Sequence, residues 1–430
     1  VLAYLLTLST LLLSMGRLGD MVGKKPVYAT GFVVFTAGSV LCGLAPTVQW
    51  LVAFRVIQAV GASMILALGM AIVTEAFPPS ERGRALGLNG TMVSIGIVIG
   101  PTLGGLIIDS LSWNWIFFVN LPIGIAGTLM AWRFVPSLKP AGRQRFDYAG
   151  AATLFGGVLA LLLALTIGQR LGFGDTRILL LVAGSLALLA TFVIIERRSS
   201  QPMIDLGLFR NRLLSVNLVS GLLTFVSMGG TIILMPFLLE NVLGYSTRQV
   251  GLLMATVPLG IGVVAPVSGA ISDRVGTRPI TVIGLLCMLF GFYTMSTVGL
   301  ETTTLGFVLS FLPVGIGMGI FQSPNNSAVM GSVPRQRLGV TSGLLSITRT
   351  LGQTMGIAVV GALWASRTLF HHGFAVPEGA TGAPAGAQVA GLHDTFLVVM
   401  GLLAFALGLS VWGLVQERRM RRMATVQSSP

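Results

Sequence analysis

Leu213–Leu239 and Thr302–Pro334 each run without a single charged side chain. No other feature constrains the fold as strongly. Crossing a bilayer takes ~20 mainly apolar residues. In hydrocarbon every backbone N–H and C=O must be satisfied inside the segment, so such runs become helices. Thirteen are read along the chain: 1–15, 27–45, 51–76, 84–108, 114–134, 149–168, 178–195, 214–238, 249–271, 280–298, 305–330, 340–365 and 394–415. A membrane β-barrel is excluded, because its strands alternate apolar with polar residues. Charged residues are 10% of the 430, against roughly 25% in soluble domains. Mean hydropathy is +0.87. Together these exclude a soluble enzyme, a disordered tail and a coiled coil. The expectation is an all-α polytopic membrane protein.

The net charge of +13 is a matter of topology. Alternate connections, starting after the first run, hold 21 of the 27 Lys and Arg residues, and the other connections hold 4. Arg55 and Arg349 lie inside runs. By the positive-inside rule the basic connections and the C-terminus face the cytoplasm. A nucleic-acid partner is not expected. The long connection Arg367–His393, rich in Gly, Pro and Ala, reads as a flexible external loop. Cys42 and Cys287 fall within apolar runs and read as small buried residues.

A repeat is visible. Gly16–Lys25 reads G-R-L-G-D-M-V-G-K-K and Gly269–Arg278 reads G-A-I-S-D-R-V-G-T-R. Each places Asp four residues after Gly, a second Gly three later and a basic residue two later. Repeated transporter halves leave such traces. The second copy follows the second of six runs, whereas the first follows only one. The parity predicts one further span before Val1, and a start on Val inside an apolar run agrees. The alternative is a native thirteen-span chain. The expected organisation is an N-terminal bundle over 1–134, two added spans over 135–213 and a C-terminal bundle over 214–430.

These stretches resemble the major facilitator superfamily. Gly16–Lys25 is similar to its loop signature, with Met21 where Arg is usual. Arg55, Gln58 and Gly61 resemble its fourth-span signature. Gly96–Gly105 (G-I-V-I-G-P-T-L-G-G) resembles its antiporter signature, and Trp113–Gly124 the fourteen-span drug:proton antiporter branch. The resemblance covers essentially the whole chain. It implies the major facilitator fold, with thirteen spans here and fourteen in the intact protein, as two six-helix bundles plus two helices. It also implies that an acidic coupling residue belongs to the family's first span.

The resemblance assigns a conformational latch to Gly16, Arg17, Asp20, Gly23 and Lys24, and to Gly269, Asp273, Arg274 and Gly276. Physically, Asp20 is an anion able to cap a neighbouring helix N-terminus. Gly96, Gly100 and Gly104 share one helical face, where small residues permit close approach. Pro101 removes a backbone donor, and with Gly105 these form the antiporter motif, read as a packing hinge.

Buried charge is costly in a bilayer, so Arg55, Gln58 and Arg349 are the coupling candidates. At 1.5 Å per residue Arg55 lies ~6 Å and Arg349 ~14 Å into its span. Three polar stripes follow helical spacing. One is Ser342, Ser346, Arg349 and Gln353. A second is Asn217, Ser220, Thr224, Ser227 and Thr231. The third is Gln322, Asn325 and Asn326, with Gly315 and Gly319 on the same side. Either a cavity or hydrogen bonding between helices accounts for them. The cavity reading nominates Asn217, Ser220, Thr224, Gln322, Asn325, Asn326, Ser346 and Gln353. No acidic residue reads as central, and His371, His372 and His393 read as solvated. No metal-ligand spacing, nucleophile–base pair or phosphate loop supports an enzyme.

The reading is a secondary active transporter of the inner (plasma) membrane, exporting amphipathic organic compounds or drugs in exchange for protons by alternating access. It needs no cofactor beyond the proton gradient. Its partners are the lipid bilayer, an amphipathic small molecule and protons, with a periplasmic adaptor left open. The alternatives are export of one metabolite (a siderophore, antibiotic or lipid) and a non-transporting fragment.

Overall fold

The computed structural model describes residues 2–137, 145–373 and 379–427, with no side chains for Pro101, Arg170 and 418–427. The side chain of Pro101 therefore lies outside the described residues, as do Glu378 and, among the basic residues counted above, Lys139, Arg143 and the side chains of Arg170, Arg418, Arg419, Arg421 and Arg422.

The described residues form helices and no strands. They are α1 (Leu2–Val22), α2 (Lys24–Gly43), α3 (Val48–Ala76), α4 (Arg82–Ser110), α5 (Trp115–Phe134), α6 (Tyr148–Leu171) and α7 (Thr176–Arg198). Then come α8 (Arg212–Val242), α9 (Thr247–Val275), α10 (Thr277–Ser296) and α11 (Thr304–Gly331). α12 runs from Leu338–Met355 through a π turn, Gly356–Val360, into Gly361–His372, and α13 spans Ala385–Gln427. Twelve are long and apolar enough to cross a membrane. The remaining one, α12, holds the twelfth of the thirteen runs, 340–365. Ser342, Ser346, Arg349 and Gln353 dilute its apolar character.

One expectation is corrected. Among its described residues, the connection read as a flexible loop over Arg367–His393 is largely helical, since α12 continues to His372 and α13 starts at Ala385. Its Ala, Thr and Leu residues sustain helix on both sides of the Gly- and Pro-bearing centre.

The repeat glycines have a conformational cause. Gly23, between α1 and α2, has φ 112°, and Gly276, between α9 and α10, has φ 100°. A side chain would be strained at both, and Gly is not. Caps fix other starts: Asp147 accepts from Gly150 N at 2.8 Å and Asn211 from Leu213 N at 3.1 Å.

The chain divides into two compact units. Unit 1 comprises Val1–Pro78, Gly100–Arg210 and Met330–Leu351. Its core joins Leu12 and Leu13 of α1, Leu154 and Val158 of α6, Phe192 of α7, and Val340, Leu344 and Ile347 of α12. Unit 2 comprises Pro79–Ile99, Asn211–Val329 and Gly352–Pro430. Its core is aromatic: Phe292, Phe307, Phe311, Phe321 and Phe396 are essentially sealed from solvent. Trp132 and Val263 are by contrast more than 70% exposed. Water would penalise such surface, and acyl chains do not.

Candidate functional site

Asp20 sits near the end of α1 with its side chain fully enclosed. Its Oδ1 accepts from Gly339 N at 2.8 Å and its Oδ2 from Val340 N at 2.9 Å. These are the second and third residues of α12. Gly16 permits the approach, because a Cβ there would lie 2.4 Å from the Gly339 carbonyl oxygen. Lys24 stands 3.5 Å from Asp20 Oδ1 and donates to Glu75 Oε1 at 2.7 Å. Arg17, half-buried, lies within electrostatic reach of Asp20, Glu196 and Arg337.

Unit 2 repeats the device. Asp273 on α9 accepts from Gly83 N at 2.7 Å and Arg84 N at 3.0 Å, the second and third residues of α4. Gly269 and Gly83 meet backbone to backbone, and Ser323 Oγ donates to Gly83 O at 2.6 Å. The two Asp–Gly motifs are thus one local solution used twice. A carboxylate satisfies two orphan donors and opposes the positive helix end. Arg274 is exposed. The buried basic residue of this copy is instead Arg278, whose Nε meets Glu417 Oε2 at 2.6 Å.

Arg55 does not stand free in its span. Its Nη1 donates to Gln58 Oε1 at 2.7 Å, and Gln58 Nε2 donates to Ser39 Oγ at 2.6 Å. The guanidinium lies 4.3 Å from the Tyr4 ring centroid and 5.6 Å from that of Phe117. Stacking on aromatic faces suits the planar, weakly hydrated guanidinium. Gly61 packs against the backbone of Phe35.

The antiporter-motif glycines depart from expectation. A Cβ at Gly96, Gly100, Gly104 or Gly105 would meet no heavy atom within 4 Å. The close approach occurs earlier on α4, where a Cβ at Gly87 would lie 2.4 Å from the Ala265 carbonyl oxygen. The first turns of α4 press on α9, whereas no such approach is seen at these four glycines.

The cavity candidates scatter. Ser346 Oγ donates to Leu66 O at 3.2 Å, while Ser342 is buried with no partner for Oγ among the described residues. Arg349 and Gln353 are half-buried. Ser220 is buried against α13, 3.3 Å from Ser410 Oγ. Thr224, Ser227 and Thr231 donate to carbonyls of their own helix, and Asn217 is buried beside them. Gln322 is half-buried, Asn325 and Asn326 are buried, and Asn325 Oδ1 has no partner among the described residues. Gly315 and Gly319 seat α11 on α9, where a Cβ would approach Val257 and Ile261. An apolar groove of about 610 Å³ between α2 and α5 is lined by Val33, Thr36, Val40, Leu121, Ile125 and Leu129, and by none of the candidates.

Sequence reasoning missed several charged contacts. Glu196, Asp205 and Arg337 form a group in unit 1, described below. His371 is not simply solvated: its Nε2 lies 2.8 Å from Asp394 Oδ2, which also takes Arg367 Nη2 at 2.6 Å. His393 Nε2 lies 3.0 Å from Val298 O. Only the helical spacing of Arg367 and His371 hinted at a shared partner.

Twelve helices long and apolar enough to cross a bilayer, joined by capped turns, make this a polytopic membrane protein. The family model described as Major Facilitator Superfamily matches residues 1–147 and 148–357. The chain belongs to the major facilitator superfamily. It is 31% identical to the multidrug transporter protein MdtP of Bacillus subtilis, over 85% of this chain and 68% of that protein. It is 34% identical to the riboflavin transporter RibZ of Clostridioides difficile, over 87% and 81%. It is 33% identical to the multidrug resistance protein Stp of Mycobacterium tuberculosis, over 86% and 70%. Its fold matches the human organic anion transporter MFSD10, with TM-score 0.66 at 18% identity over 95% of this chain and 82% of that one. The chain is accordingly a transporter and not an enzyme.

Proposed function

We propose that this transporter exports amphipathic organic compounds or drugs across the cytoplasmic membrane, in exchange for protons, by alternating access. The observation that carries the reading is the sequence similarity to MdtP and Stp, both named for multidrug transport or resistance. The added pair α6–α7 supports membership of the fourteen-span drug:proton antiporter branch. The Lys and Arg asymmetry between connections supports a cytoplasmic C-terminus. Besides its cargo, its partners in this reading are protons and the lipid bilayer, with a periplasmic adaptor left open, and the proton gradient is its energy source, with no bound cofactor.

The twin Asp caps support a two-state machine. Each holds a helix start by two hydrogen bonds to one carboxylate, an arrangement that is either made or broken. In this reading Arg55, Gln58 and Arg349 serve coupling. A second reading has a specific observation behind it. The similarity to RibZ, named as a riboflavin transporter, favours a single metabolite as cargo.

The test is proton release from energised everted vesicles. A panel of lipophilic cations, neutral drugs and riboflavin is added, and the pH gradient is read by a fluorescent dye. Collapse of the gradient by several unrelated drugs supports multidrug antiport. Collapse by riboflavin alone supports the second reading. A silent panel, with protein present in the membrane, overturns multidrug antiport and riboflavin as the cargo.

A further inference from the structure

The connection after α7 is exposed at Ser200 and Gln201 but turns inward at Met203 and Ile204, whereas most connections stay on the surface throughout. Glu196, 4% exposed in the last turn of α7, reaches forward to it. Its Oε1 accepts from Met203 N and its Oε2 from Ile204 N, each at 3.2 Å. Both carboxylate oxygens are thus committed to loop backbone. A buried carboxylate is tolerated only when its oxygens are satisfied in this way.

The two residues so held are sequestered. Met203 is 1% exposed and Ile204 4%. They sit in the unit 1 core with Leu12 and Leu13 of α1 and Val340 and Leu344 of α12. Met203 Sδ lies 3.9 Å from Ser14 Oγ on α1. The next residue, Asp205, pairs with Arg337, immediately before α12. Two residues later comes Gly339, whose N–H Asp20 accepts. Arg17 lies within electrostatic reach of the same groups, attracted by Asp20 and Glu196 and repelled by Arg337. An exposed ion pair like Asp205–Arg337 contributes little by itself. The buried Met203 and the Glu196 carboxylate therefore supply the hold.

We propose that residues 199–205 form a strap that positions the start of α12. Glu196 and Met203 act as its positioning residues and join the α6–α7 pair to the junction capped by Asp20. The seating of the strap is independent of what the protein carries. Its part in turnover rests on the transport reading.

The test uses the full chain in nanodiscs, with Cys42→Ala and Cys287→Ala and a single new cysteine, Met203→Cys. A hydrophilic maleimide reports its accessibility, and Ser200→Cys, at an exposed position of the same strap, is the reference. We expect the cysteine at 203 to react at least tenfold more slowly than the one at 200. Adding Glu196→Ala should close that gap, with Glu196→Gln, which keeps one acceptor oxygen, falling between. Asp20→Asn should also speed labelling at 203, and the double variant should gain less than the product of the single effects, because both residues hold one junction. Equal labelling at 203 and 200 overturns the strap, as does indifference to both Glu196 substitutions. Indifference to Asp20→Asn overturns its link to α12. If a panel compound is transported, Glu196→Gln should change the maximal rate and leave KM unaltered, and a change confined to KM counts against the positioning role. Failure of every transport assay leaves the labelling outcomes standing, so the two readings fail separately.

Discussion

Asp20 and Asp273 perform the same operation in different surroundings, and the difference sets a measurable asymmetry. Asn substituted at either position keeps the shape, loses the charge and turns one acceptor into a donor. At Asp20 two hydrogen bonds to an ionised oxygen, worth about 1.5–3 kcal/mol each, are replaced by one neutral bond of about 1 kcal/mol. The Asn amide then faces a backbone N–H it cannot satisfy. With the Asp20 side chain fully enclosed, water cannot relieve that donor, which adds about 1–3 kcal/mol. Summed, these terms put the net cost of Asp20→Asn at about 3–8 kcal/mol. Asp273 is half-exposed, so water replaces what Asn cannot accept. Asp273→Asn should cost about 1 kcal/mol, the ordinary value for losing a cap. Thermal unfolding of the purified protein in detergent, read by tryptophan fluorescence, compares the two variants directly. The midpoint should fall several-fold further for Asp20→Asn. Equal shifts, or a larger shift for Asp273→Asn, would refute the claim that enclosure sets the strength of these caps.

Other predictions follow from single contacts. Gly87→Ala should sharply lower stability, because its methyl would collide with the Ala265 backbone. Gly104→Ala should be neutral or stabilising by up to about 1 kcal/mol, as at an unencumbered helix position; thermal midpoints decide, and a loss at Gly104 comparable to that at Gly87 would restore the packing hinge. Arg349→Ala should abolish transport of any exported panel compound at unchanged membrane level, and wild-type rates in that variant would remove Arg349 from the mechanism. The Gly207 N–H, and then the Arg337 guanidinium, hold the Asp205 carboxyl below its ordinary range. A depressed carboxyl stabilises the fold above its unfolded pKa of about 3.9, and that contribution is lost as pH falls through the lower folded value. The stability gap between the parent and Asp205→Asn should therefore be small, since the group is more than a third exposed, constant near neutrality, and should vanish under acid conditions. A gap that widens on acidification contradicts the assignment.

Much of this protein was legible in its residues because the bilayer leaves few options. Uncharged runs such as Leu213–Leu239 must become helices, since no other backbone satisfies its polar groups alone. The spacing of Gly16, Asp20 and Gly23, repeated at Gly269, Asp273 and Gly276, marked a turn that needs positive φ and an anion beside it. Those are local facts, carried by neighbours in the chain. What Asp20 binds is not local. Its partners, Gly339 and Val340, lie 319 and 320 residues away, and backbone N–H groups leave no trace in side-chain identity. Small residues permit close approach without requiring it, so packing alone put Gly87 in contact and left Gly100 in the open. Serine and threonine can satisfy themselves on their own helix, so the stripe through Thr224 did not require a cavity. Glu196 reads as one more charge at a span end. Only the folding back of Met203 and Ile204 into the core gives it something to hold.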